Sequence, residues 1–222
     1  LGVRNLLCLT GDHQVFGNHP AAKNVYDVDS IQLIRLVRRL RDEGITEGGE
    51  AVEGAVPMLV GGAANPFGDP FEMRVIRLAK KVAAGADFVQ TQCIFDLPRF
   101  REYMRRVVDL GLHERVHIMA GVMPLKSAAA ARYINQNVAG ISVPAEIIKR
   151  MSAAGRGQKA RDEGLRLCAE TIQEVRGIEG VAGVHIMAVE WEESVEPIAE
   201  MAGLLPRPSL NEPPAPAACG AQ

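Results

Sequence analysis

A chain of 222 residues, 47% hydrophobic and 23% charged, can bury one sizeable core and has the balance of an ordinary globular domain. Its formal net charge of -2 lacks the basic excess that nucleic-acid binders carry. No apolar run approaches the roughly 18 residues needed to cross a bilayer, so no membrane span is expected.

Short apolar runs alternate with longer amphipathic stretches, the pattern of successive β-α units around a parallel sheet. Asn5 to Leu9 predicts the first strand, stopped by Thr10-Gly11-Asp12. After a long loop comes a helix with Ile31, Ile34, Val37 and Leu40 at helical spacing. Asp29 or Ser30 is its expected N-cap, because either side chain can accept from the free amides of the first turn. Gly44 is its stop. The second strand is predicted from Ala55 to Val60, ended by Gly61-Gly62, and the next helix from Phe71 to Ala84. Phe88 to Gln92 predicts the third strand, with a helix from Pro98 to Leu110. Val116 to Ala120 predicts the fourth, followed by helices over Ser127 to Asn135, Pro144 to Met151 and Gln158 to Arg176. Val184 to Val189 is the fifth strand, and a last helix covers Ser194 to Gly203.

Five such units fit a doubly wound sheet or part of a barrel. Polar residues cluster at the carboxyl ends of the strands, where a barrel builds its active site, and this favours a (β/α)8 TIM barrel with about its last five units present. The chain opens on Leu1 and enters a strand almost at once, which reads as N-terminally incomplete, with about three units ahead of it. Residues 1–205 are expected to form the partial barrel. Residues 206–222, rich in Pro and Ala without periodicity, are expected to be a disordered tail. Cys8, Cys93, Cys168 and Cys219 have neither pairing nor metal-ligand spacing, which fits free thiols and a cytoplasmic location.

Candidate chemistry lies on the strand-end loops. In Thr10-Gly11-Asp12-His13-Gln14, glycine lets the backbone approach a ligand and Asp12 can accept from a ligand N–H. Taken alone, the same residues read more readily as an ordinary strand-to-loop turn, where Gly-Asp is common. His13 and His19 lack partnered acids at ligand spacing, and no metal site is expected. Asn65 and Asp69 can hydrogen-bond ligand hydroxyls, or can simply shape a turn and an N-cap. Arg74, Arg77 and Lys81 share one helix face, which is either solvated or able to hold a pyrophosphate. Gln90 and Gln92 share one strand face, and must be satisfied by an internal amide network or by a ligand with donors and acceptors, such as a pterin edge.

The segments Leu9-Thr10-Gly11-Asp12, Val25-Tyr26-Asp27-Val28-Asp29, Lys80 through Gln92 and Gly121-Val122-Met123-Pro124 resemble methylenetetrahydrofolate reductase. The resemblance runs from about Val3 to Leu205, and Lys81 to Asp96 is its most specific block. The Thr10 to Gln14 version looks like the branch found in acetogenic and related bacteria.

This resemblance implies a flavin-bearing barrel of one-carbon metabolism that reduces methylenetetrahydrofolate to methyltetrahydrofolate. The flavin is expected to be FAD, with FMN as the alternative. The reductant is NADH, NADPH or a redox partner subunit, and an oligomer is expected. By the same resemblance, Asp12 is a catalytic and substrate-binding residue, matching the carboxylate that lies near pterin and flavin and affects both half-reactions, and Gln92 binds the folate. Thr10, Gly11, Tyr26, Asp27, Asn65, Asp69, Arg74, Arg77 and Lys81 match flavin-lining positions, several with altered residue types. Trp191 stands where the family often has a folate-binding arginine. The family's general acid, a glutamate on the first barrel strand, has no counterpart here, so the chain alone is expected to be inactive. The competing reading is a non-catalytic folate-binding or partner subunit.

Overall fold

The computed structural model describes residues 2–207; of the tail expected over residues 206–222, all but the first two residues, Cys219 included, lie outside the described residues. Five strands, β1 (Asn5–Cys8), β2 (Leu59–Ala64), β3 (Phe88–Cys93), β4 (His117–Val122) and β5 (Val181–Ile186), form one sheet in the order β1-β2-β3-β4-β5. Every neighbouring pair is parallel. The connections are helical: α1 (Ser30–Glu43), α2 (Phe71–Ala84), α3 (Leu97–Asp109), then α4 (Ala128–Asn137), α5 (Ala145–Ala153) and α6 (Gln158–Arg176) before β5, and α7 (Val195–Met201) after it.

Local chemistry accounts for the boundaries. Asp29 caps α1, its carboxylate accepting from the amides of Ile31 and Gln32 at 2.9 Å. Gln32 answers with its own side-chain oxygen, which accepts from the Asp29 amide at 2.8 Å. This reciprocal pair satisfies donors that the helix start would leave free. Asp96 caps α3 by accepting from Arg99 N–H at 3.0 Å, with Pro98 in the first turn. Asp69 does not cap α2: the residue ahead of that helix is Pro70, without a side-chain cap. The Asp69 carboxylate pairs instead with Arg99 of α3 at 2.8 Å.

The largest correction concerns β2, which begins at Leu59 and runs through Gly61 and Gly62 to Ala64, rather than ending at Val60. Pro57 and Gly54 interrupt the earlier apolar run. The two glycines are strand residues because their neighbours occupy the space of a side chain. A Cβ on Gly61 would lie 2.2 Å from the Phe88 ring, and one on Gly62 would lie 3.1 Å from Ile34 and 3.3 Å from Lys81. β4 and β5 are likewise displaced from their expected limits, to His117–Val122 and Val181–Ile186.

The outward sheet face and the helices bury the core. Val60, Val89, Ile118 and Ala120 pack with residues of α1, α2 and α3 such as Ile34, Leu78 and Phe100. A second cluster lies beneath α4 and α5, around Leu125, Ala131 and Met151, and a third joins α6 to α7 through Ile172 and Ile198. At the amino end of the sheet, Asp87 draws α1 and β2 together. Its carboxylate accepts from Arg41 at 2.5 Å and from the Val60 amide at 2.8 Å. Among the described residues no helix is long and apolar enough to cross a membrane.

Candidate functional site

The inward sheet face opens into a cavity of about 500 Å³ at the carboxyl ends of the strands. Both edge strands reach it, β1 through Leu7 and β5 through His185, so the sheet curls around this space. Among the expected site residues, Thr10, Gly11, Asp12, Asn65, Arg74, Arg77, Lys81 and Gln92 all line it. Gln90 lines it beside Gln92.

Three walls differ in chemistry. The first is the turn after β1. Gly11 has φ 85°, a left-handed conformation that glycine adopts without strain, and it presents Asp12 at the rim. Asp12 is the only acid in the lining, and among the described residues it makes no hydrogen bond or ion pair. Thr10 has a local task, because its hydroxyl oxygen accepts from the Ser30 amide at 3.0 Å and ties the end of β1 to the start of α1.

The second wall is cationic and comes from α2. Arg74 Nη2 donates to the Asp69 carbonyl at 2.6 Å, while its Nε is buried without a partner among the described residues. Lys81 is only 8% exposed, and its Nζ donates to the Ala63 carbonyl at 2.6 Å. Burial first, and then the neighbouring Arg77, pull the Lys81 pKa below its ordinary value; Asp29 and Cys8 act in the opposite sense. Between that depressed pKa and the ordinary 10.5, the unfolded chain binds more protons than the folded one, so the contribution of Lys81 to stability rises with pH. Lys81→Met is therefore expected to melt at or above the parent in ligand-free protein at neutral pH. Parallel urea melts should show the parent gaining on the variant as pH approaches 10. A variant that is clearly less stable at neutral pH, with no change in the gap, would contradict this account.

The third wall is the sheet floor. β3 carries a register shift between Gln90 and Cys93. There the Thr91 hydroxyl accepts from the Gly121 amide at 2.8 Å and donates to the Gln92 carbonyl at 3.0 Å. Such irregularities re-aim side chains, and Gln90, Thr91 and Gln92 all reach the cavity as a result. Gln92 Oε1 accepts from the Cys93 amide at 3.0 Å, which holds the side chain in place.

Other expected site residues lie elsewhere. Tyr26 and Asp27 are exposed on the β1–α1 loop, and Asp69 is held outward by Arg99; none of the three lines the cavity. Trp191 is buried outside it, with the Arg161 guanidinium 6.0 Å from its ring centre. Asn65 is in the lining, but its Oδ1 accepts from the Phe67 amide at 3.0 Å and so also shapes the loop. His185 and Met187, which no sequence motif marks, join the lining, as does Ser30, expected only as a possible helix cap. Alternation carried from β5 into the residue just past its end puts His185 and Met187 on one face.

Fold and site together define an α/β protein with a cavity at the carboxyl edge of a parallel sheet, cationic on one wall and amide-rich on its floor. The family described as "Methylenetetrahydrofolate reductase" matches residues 1–203, and the chain belongs to that family. It is 28% identical to Methylenetetrahydrofolate reductase 2 of Schizosaccharomyces pombe, over 92% of this chain and 32% of that protein. It is 22% identical to the probable methylenetetrahydrofolate reductase (NADPH) of Caenorhabditis elegans, over 92% of this chain and 29% of that one. The chain thus spans about a third of the length of these curated relatives. A solved structure of an uncharacterized Clostridium thermocellum protein that binds two copies of 5-methyl-5,6,7,8-tetrahydrofolic acid shares 15% identity. The superposition has a TM-score of 0.48, covering 65% of this chain and 52% of that one.

Proposed function

We propose that the described residues form the flavin- and folate-binding side of a (β/α)8 barrel that reduces 5,10-methylenetetrahydrofolate to 5-methyltetrahydrofolate. One observation carries this reading beyond family membership: a cavity of ligand size joins three cations of one helix to an amide floor, with a single carboxylate at its rim. The residues suit a flavin. The unpartnered Nε of Arg74, together with Arg77 and Lys81, offers charge-assisted donors to its phosphates. FAD is the reading we favour, with FMN as the alternative.

When bound, a flavin supplies the two-electron carrier between a reductant and the folate methylene carbon. The chain's own groups bind and orient. Gln90 and Gln92 present both donors and acceptors to a pterin, whose edge carries both. Asp12 accepts from a ring N–H and stabilises positive charge on the methylene-bearing folate, a favourable arrangement at a rim whose other charges are cationic.

The barrel reading calls for three strand–helix units beyond the five described. Flavin content and methylenetetrahydrofolate-linked oxidation of a reduced dye, measured on this chain and on a form carrying those units, test the proposal. Flavin-loaded, folate-reducing protein in the longer form supports it. A colourless protein that binds folate without redox turnover in either form would overturn it in favour of a non-catalytic folate-binding subunit.

A further inference from the structure

His185 is the one imidazole in the cavity lining. It lies on β5 in register with Gly121 of β4, and β4 in turn pairs with β3 at the level where Gln92 and Cys93 stand. Gly121 brings no side chain into the space between them. A Cβ there would lie 2.3 Å from the Thr91 carbonyl oxygen and 2.7 Å from the Met187 methyl, so that position is closed to any larger residue. The floor at this level therefore presents two polar side chains, Gln92 from β3 and His185 from β5, on either side of a bare strand. The His185 ring is half-buried, and among the described residues neither of its nitrogens has a hydrogen-bond or ion-pair partner. A half-buried imidazole facing a cavity, with no protein partner, has hydrogen-bonding capacity left for a ligand.

We infer that His185 is a pterin-binding residue, hydrogen-bonding the folate ring from the β5 side while Gln92 holds it from β3. This rests on the folate reading above and goes beyond it by assigning a residue on the strand opposite the glutamines. The ionisable groups facing the cavity are Asp12 after β1 and Arg74, Arg77 and Lys81 of α2; β3 and β4 contribute none. Burial lowers the pKa of His185, so it meets the ligand as uncharged imidazole near neutral pH, able to donate from one nitrogen and accept at the other. Protonation in acid would remove the acceptor and add a fourth cation to the three already present.

The test titrates 5-methyltetrahydrofolate into full-length, flavin-loaded parent, His185→Phe and His185→Gln between about pH 5.5 and 8, a range set by the ordinary histidine pKa. Dissociation constants, flavin content and melting temperature are read for each. His185→Phe should keep its flavin and melting temperature and bind folate about tenfold more weakly at neutral pH, the size expected for one lost hydrogen bond. His185→Gln, which keeps a donor and an acceptor, should recover most of that affinity and lose the acid-side weakening shown by the parent. A parent that binds, with a Phe variant binding equally well, overturns this assignment and leaves the folate reading standing. A flavin-loaded parent that binds no folate overturns both.

Discussion

Asp12→Ala is expected to slow folate reduction by about a hundredfold or more, the scale of losing one positioned group that stabilises developing charge, with almost no loss of fold. The side chain is exposed and makes no hydrogen bond or ion pair among the described residues, so nothing in the core relaxes when it is removed. Exposed substitutions of this kind cost within about 0.5 kcal/mol. The Gly11 turn that presents residue 12 is untouched, and the cations of α2 keep their positions, so flavin content should hold. Stopped-flow rates for the flavin–folate step, set beside melting temperature and bound flavin, separate the outcomes. Equal loss of melting temperature and flavin would assign Asp12 a structural role. Unchanged rates would remove it from the chemistry.

The second large effect lies away from the cavity. Gly164 sits inside α6, where helix propensity alone favours alanine by about 1 kcal/mol. Its packing reverses that sign. A Cβ at Gly164 would lie 1.8 Å from the Leu125 carbonyl oxygen and 2.8 Å from its carbonyl carbon, which are backbone atoms of the segment following β4. A rotamer change cannot relieve a backbone clash, so α6 or that segment must move. Gly164→Ala should destabilise by about 3 kcal/mol or more, the upper range of overpacking. At this size that corresponds to a melting temperature roughly 6–12 °C lower. Gly177→Ala is the control: its Cβ would meet only the Glu174 carbonyl oxygen, at 3.6 Å, and its φ is -84°. That variant should melt close to the parent. If Gly164→Ala also does, the close approach of α6 to Leu125 is not what holds this layer.

These two positions show what could be read along the chain. The turn bearing Asp12 follows a strand and carries glycine beside an acid, a pattern local enough to see in sequence. The shared helix face of Arg74, Arg77 and Lys81 follows from spacing alone, and the cavity does gather all three. By contrast, Asp69 and Tyr26 sit in loops of similar composition, and composition does not say which way a loop residue points. Arg99, thirty positions further on, holds Asp69 outward. His185 is not legible as a site residue in the sequence, because one histidine among apolar strand residues carries no sign of which face it takes until the neighbouring strands are placed.

By itself, then, the sequence determined the order of strands and helices, α6 from Gln158 to Arg176, and membership in the methylenetetrahydrofolate reductase family through its strand-end motifs. Periodicity is a short-range property of the backbone and survives translation into structure. Tertiary structure alone decided that Gly61 and Gly62 are strand residues beneath Phe88 and Lys81, that Gly164 admits no side chain, and that His185 and Gln92 line one cavity from strands on either side of β4. Each of those outcomes depends on the distance between segments remote in sequence, and distance is set only when the sheet and its helices pack.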